Sequence, residues 1–80
     1  MGLNVVSLND SLVVASEGGH LPVIKFLIER GANDLNEPLY VAGSNNQLEV
    51  VKYLISKGAD DIDAAKSYGH REVVEYLNKL

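Results

Sequence analysis

Eighty residues leave room for one domain, and an apolar content of 46% is ordinary for a chain that folds around a core. A globule of this size buries only about 60% of its unfolded surface, and with no cysteine neither a disulfide nor a thiolate metal site can supplement apolar packing. Seven basic against eleven acidic side chains give a net charge of −4, which repels phosphate backbones and anionic lipid and argues against nucleic acid and membrane partners.

Residues 1–8 lack the basic flank and apolar run of a secretory leader, and no stretch approaches the ~18 apolar residues of a membrane span. A cytoplasmic or otherwise intracellular protein is therefore expected. Gly2 after Met1 fits the opening of a myristoylation motif, but Val6 stands where that motif wants Ser or Thr. Leu3, Val5, Val6 and Leu8 make this segment apolar, and it is too short for a helix pair. Two readings stay open: an irregular N-terminal lid over the first helix pair, or an apolar edge that joins a second copy. Asn9-Asp10-Ser11 matches the glycosylation sequon, yet without a leader it reads better as a helix start.

From Ala15 onward the chain repeats itself. Ala15–Gly31 (ASEGGHLPVIKFLIERG), Ala42–Gly58 (AGSNNQLEVVKYLISKG) and Ala65–Leu80 (AKSYGHREVVEYLNKL) align without a gap and fill about five-eighths of the sequence. Val23, Ile24 and Leu27 recur as Val50, Val51 and Leu54 and again as Val73, Val74 and Leu77, the stripe of a half-buried helix. Phe26, Tyr53 and Tyr76 form an aromatic column beside it, expected as core packing with the hydroxyls at an edge. Gly31 and Gly58 come after the last apolar residue of their helices, where a left-handed residue satisfies free carbonyls. A shorter helix precedes each alanine, beginning near Asp10 or Ser11, at Pro38, and near Asp60 or Asp61. Each unit is thus helix, tight turn, helix, and a hairpin with one apolar face can bury it only against the next. The expected architecture is all-α: three stacked helix pairs in a solenoid.

GHLPVIKFLIERGAN, QLEVVKYLISKGAD, GHREVVEYL and the GADD after a helix together resemble ankyrin repeats. Pro38-Leu39-Tyr40-Val41-Ala42 is similar to that family's Thr-Pro-Leu-His-x-Ala segment, with Glu37 in the place of Thr and Tyr40 in the place of His. The resemblance covers roughly residues 9–80 and rests on three registered copies. It implies a protein-binding function, and a histidine hydrogen-bonded within the turn between the two helices. Ankyrin units recur every 33 residues, whereas Ala15 to Ala42 spans 27 and Ala42 to Ala65 spans 23. The gapless columns place both deletions in the connections, so the family's projecting β-hairpin fingers are expected to be truncated. The resulting boundaries are residues 1–8 as a lid or extension, 9–33 as repeat 1, 34–59 as repeat 2, and 60–80 as repeat 3. In the last unit Leu21 and Leu48 become Arg71, and Ile28 and Ile55 become Asn78, which reads as a polar C-terminal cap.

No cofactor, metal or catalytic chemistry is expected. His20 and His70 share a column but belong to units one and three, roughly 20 Å apart if neighbouring helices pack at ~8–10 Å, too far to share an ion. Asp61, Asp63 and Glu72 fit positions one, three and twelve of a calcium loop, but Ala65 and Lys66 occupy the fifth and sixth. Gly18-Gly19 comes after a helix, not a strand, and Ser44 and Ser67 lie in no nucleophile motif. The free positions of the repeat are the columns Val13/Tyr40/Asp63, Glu17/Ser44/Ser67 and Gly18/Asn45/Tyr68, on the first helices and their turns. Tyr40, Asn45, Asp63, Lys66 and Tyr68 are the candidate contacts to a protein partner, the tyrosines foremost because they offer large area at small entropic cost. A monomeric adaptor or inhibitor is the leading expectation. A structural unit that self-associates into a homodimer through the N-terminal edge, or an excerpt of a longer array without a dedicated partner, is the alternative.

Overall fold

The Asn4 side chain accepts a hydrogen bond from the Ser7 N–H at 2.8 Å and so caps the first helix, in a computed structural model that describes residues 4–80. The described residues form six helices, α1 (Val5–Gly18), α2 (Leu21–Glu29), α3 (Asn36–Ser44), α4 (Leu48–Ser56), α5 (Ile62–Tyr68) and α6 (Arg71–Leu77), and no strand. The first helices α1, α3 and α5 lie side by side in a row, each carrying its partner helix, and the stack measures 42 × 20 × 17 Å.

Two helix starts differ from expectation. The first helix begins at Val5, not near Asp10, because Asn4 supplies a cap and residues 5–8 continue the α1 face, with Leu8 buried in the core. An irregular lid over 1–8 is thus replaced by helix from residue 5, and residues 1–3 lie outside those described. The third begins at Asn36, so Pro38 sits inside the first turn, where its missing N–H leaves no partner wanting. Asp61 caps α5, its carboxylate accepting the Ala64 N–H at 3.3 Å.

The repeat columns become layers of the core. Ala15, Ala42 and Ala65 are all buried, and their small side chains let the first helices approach closely. Leu27, Leu54 and Leu77 are buried beneath the second helices. Gly31 and Gly58 both have φ of 116°. Behind them Ala32 and Ala59 each donate to the carbonyl five residues back, Leu27 and Leu54, at 3.0 Å, the paired-bond helix stop that a left-handed residue permits.

The aromatic column is where it was expected at two of its three positions: Tyr53 and Tyr76 pack against the core with part of each ring at its edge, and only Phe26 stands outside. Phe26 is exposed and Tyr53 and Tyr76 are half-buried. Cations cover all three: Arg30 lies 4.9 Å from the Phe26 ring centre, Lys25 and Lys57 each 5.5 Å from that of Tyr53, and Lys52 5.3 Å from that of Tyr76. The cations cover the outward parts of the two tyrosines and the exposed Phe26 ring through cation–π contacts.

The short connections are pinned by an asparagine device. Asn9 Oδ1 accepts the N–H groups of Asn33 and Asp34 at 2.8 and 3.1 Å, while its Nδ2 donates to Asn33 Oδ1 at 3.1 Å. Asn36 repeats the arrangement one unit later, accepting from Asp60 and Asp61 at 2.9 and 3.1 Å and donating to Asp60 Oδ1 at 3.0 Å. The connections are six residues (30–35) and five (57–61) long. Of the four residues by which the second spacing falls short of the first, three are therefore missing from the helix and one from the connection: α5 starts three residues before its alanine, whereas α3 starts six before.

Candidate protein-interaction surface

The row of first helices presents its turns along one side, and the conformation of each turn depends on its sequence. Gly19 and Asn46 both adopt left-handed backbone, with φ of 75° and 57°. Gly69 does not, with φ −75° and ψ 148°, and the third turn instead reaches back: the His70 N–H donates to the Gly43 carbonyl at 2.8 Å. The expected side-chain bond of a histidine within its turn does not form among the described residues. The side-chain bridge in that column is made by Gln47, whose Nε2 donates to the Glu17 carbonyl of the preceding unit at 3.2 Å.

Of the five predicted contact residues, the structure brings two together. Tyr40 lies midway along α3 and Tyr68 ends α5, and their rings meet diagonally across the seam with centres 5.4 Å apart and planes at 49°. That tilted offset geometry is the favourable one for aromatic pairs. An open concavity of about 550 Å³ lies beside them, lined by Asn36, Glu37, Tyr40, Asp61, Ala64 and Tyr68. Asn45, Asp63 and Lys66 do not line it. Asn45 Nδ2 is turned back onto the Val41 carbonyl at 2.8 Å, Asp63 is exposed in the first turn of α5, and Lys66 is half-buried in its last. Glu37, Asp61 and Asn36 were not among the contact residues expected from the sequence. Their signal was positional only: they open the helices that carry the tyrosines.

A second concavity, about 410 Å³, lies on the free face of the first unit, between Asp10, Ser11, Val14, Ala15, His20 and Val23. Val23 is 49% exposed here, while its column mates Val50 and Val73 are 1% and 0% exposed because a preceding helix pair covers them. Among the described residues no three His, Cys, Asp or Glu side chains are grouped to hold a metal ion, and no helix is long and apolar enough to cross a membrane.

The family model for ankyrin repeats in three copies matches residues 4–64. The chain belongs to the ankyrin repeat family. The match ends inside α5, and the remainder of the third unit keeps the same columns through Leu77. Neither the curated proteins nor the solved structures give a match. Ankyrin repeats generally serve as protein-interaction modules and are typically non-catalytic.

Proposed function

We propose that this chain is a non-catalytic interaction module, an adaptor or inhibitor, that binds a partner protein at the α3–α5 seam. The observation that carries the reading is the Tyr40–Tyr68 pair. Tyr68 remains 64% exposed although it contacts a second ring at 5.4 Å, so its contact area is preorganised and available, the combination typical of hot-spot residues. The truncated connections favour the same place, because with no projecting finger the helices and turns are the surface left to a partner. Asn45, Asp63 and Lys66 flank the pair as rim positions, where contacts set orientation more than affinity. The proposed setting is intracellular, since a fold built without cysteine needs no oxidising environment.

The test is affinity capture with the intact chain, with Tyr40→Ala and with Tyr68→Ala, each checked for helicity by circular dichroism. Loss of the same bound protein from both variants at unchanged helicity supports the reading. Capture of identical proteins by all three chains overturns it.

One observation favours a second reading, self-association through the N-terminal face. Val14 is 69% exposed and lines the same concavity as the half-exposed Val23, and Val6, earlier in α1, is 68% exposed. Sedimentation over a wide concentration range separates the two, since a strict monomer removes this second reading.

A further inference from the structure

The chain contains five aromatic side chains, and three of them, Phe26, Tyr53 and Tyr76, carry a lysine or arginine over the ring. Tyr40 and Tyr68 have none among the described residues. Their concavity is instead lined by two carboxylates, Glu37 and Asp61, and neither of these enters an ion pair among the described residues. Asp61 uses Oδ1 for the Ala64 N–H, which leaves Oδ2 without a hydrogen bond among the described residues. Ala64, the small residue of the lining, leaves depth between the two acids and the rings.

Resting on the interaction reading above, we propose that the α3–α5 concavity receives an arginine side chain of the partner protein. A guanidinium is planar and weakly hydrated, so it can lie on an aromatic face while its N–H groups fork toward carboxylates. The two rings are already in contact at 5.4 Å, so the cation lies across their outer faces and not between them. Charge complementarity selects the occupant: the chain carries −4 overall, and this seam adds two acids to an aromatic pair that the chain's own cations leave uncovered. An apolar or acidic side chain would bury Glu37 and Asp61 without compensation.

The experiment uses the full chain and two short probes, acetyl-Gly-Arg-Gly-amide and the same peptide with citrulline, which keeps the shape of arginine and lacks its charge. Ring resonances of Tyr40 and Tyr68 are followed by NMR during titration. Saturable shifts are expected with the arginine peptide, weakened by added salt, with citrulline binding at least roughly tenfold more weakly. The double variant Glu37→Gln, Asp61→Asn should abolish that difference, and asparagine keeps the α5 cap in place. Equal shifts with citrulline, or none with arginine, overturn the proposal. Failure here is separable from failure of the interaction reading: a silent arginine peptide alongside tyrosine-dependent capture removes the cation and keeps the surface.

Discussion

Asn36 accepts the backbone N–H of Asp60 at 2.9 Å across 24 residues of chain, and this bond, with its companion to Asp61 at 3.1 Å, sets the start of the third unit against the second. Asp61 caps α5 and lines the tyrosine concavity, so the same asparagine positions part of the proposed binding surface. Replacing Asn36 with Ala removes an acceptor shared by two N–H groups. The expected cost is ~1–2 kcal/mol at an exposed position, which in a domain of this size lowers Tm by roughly 4–8 °C per kcal/mol. Amide exchange at Asp60 and Asp61 should accelerate selectively. Unchanged exchange at both would mean that the loop holds itself without the side chain.

The valine column predicts a gradient of sensitivity. Val50→Ala and Val73→Ala each remove two methyl groups from sites 1% and 0% exposed, and each should cost roughly 1.5–3 kcal/mol. Val23→Ala, at 49% exposure, should cost under about 0.5 kcal/mol. Urea denaturation of the three variants decides the matter. A Val23 variant as damaged as the others, with a midpoint that moves with protein concentration, would mean that the free face is covered by a second copy in solution.

The fold was legible because packing repeats where geometry repeats: the Val, Ile and Leu stripe and the alanine column had to recur once neighbouring hairpins shared one seam. The helix starts were less legible. The α1 start was hidden because Asn4 offers the same cap chemistry as Asp10 or Ser11, and nothing local ranks them. The Asn9 and Asn36 bridges left only a faint mark, two asparagines each six residues before a repeat alanine, whose meaning depends on a loop 24 residues later. At the surface, Tyr40 and Tyr68 could be nominated by type, but their meeting could not, since they occupy different columns and touch only diagonally. Phe26 shows why one member of a periodic aromatic column can stand outside the core that Tyr53 and Tyr76 reach: the Arg30 side chain shields its ring at the surface.

Gly69 departs from the other turn residues in a way that substitution can expose. Its φ is ordinary, but a Cβ there would stand 2.5 Å from the Ala65 carbonyl oxygen and 3.1 Å from a Val74 methyl. Gly69→Ala must therefore push α5 and α6 apart, and it should break the His70 N–H to Gly43 carbonyl bond of 2.8 Å. A loss on the order of 2–3 kcal/mol is expected from overpacking against backbone, together with lost protection of the His70 amide. Retained protection of that amide, with stability unchanged, would show that the turn can relax into another conformation at no cost.

Ser16 points to a change in the opposite direction. It is fully buried in α1, at 0% exposure, and its hydroxyl has no hydrogen-bond partner among the described residues. The equivalent position in the second unit is Gly43, where an added Cβ would lie 3.5 Å from Val73 and 3.7 Å from the Ala65 carbonyl, so the column faces the next unit and admits only small side chains. In the third unit it is the half-buried Lys66. Ser16→Ala keeps the volume, raises helix propensity and deletes an unsatisfied polar group, and should stabilise the chain by about 0.5–2 kcal/mol. Ser16→Val should destabilise it by crowding α3. The urea midpoints of the two variants should therefore move apart from that of the parent in opposite senses. A Ser16→Ala midpoint below the parent's would mean that the hydroxyl is paired in solution, and that the seam between the first two units holds a water.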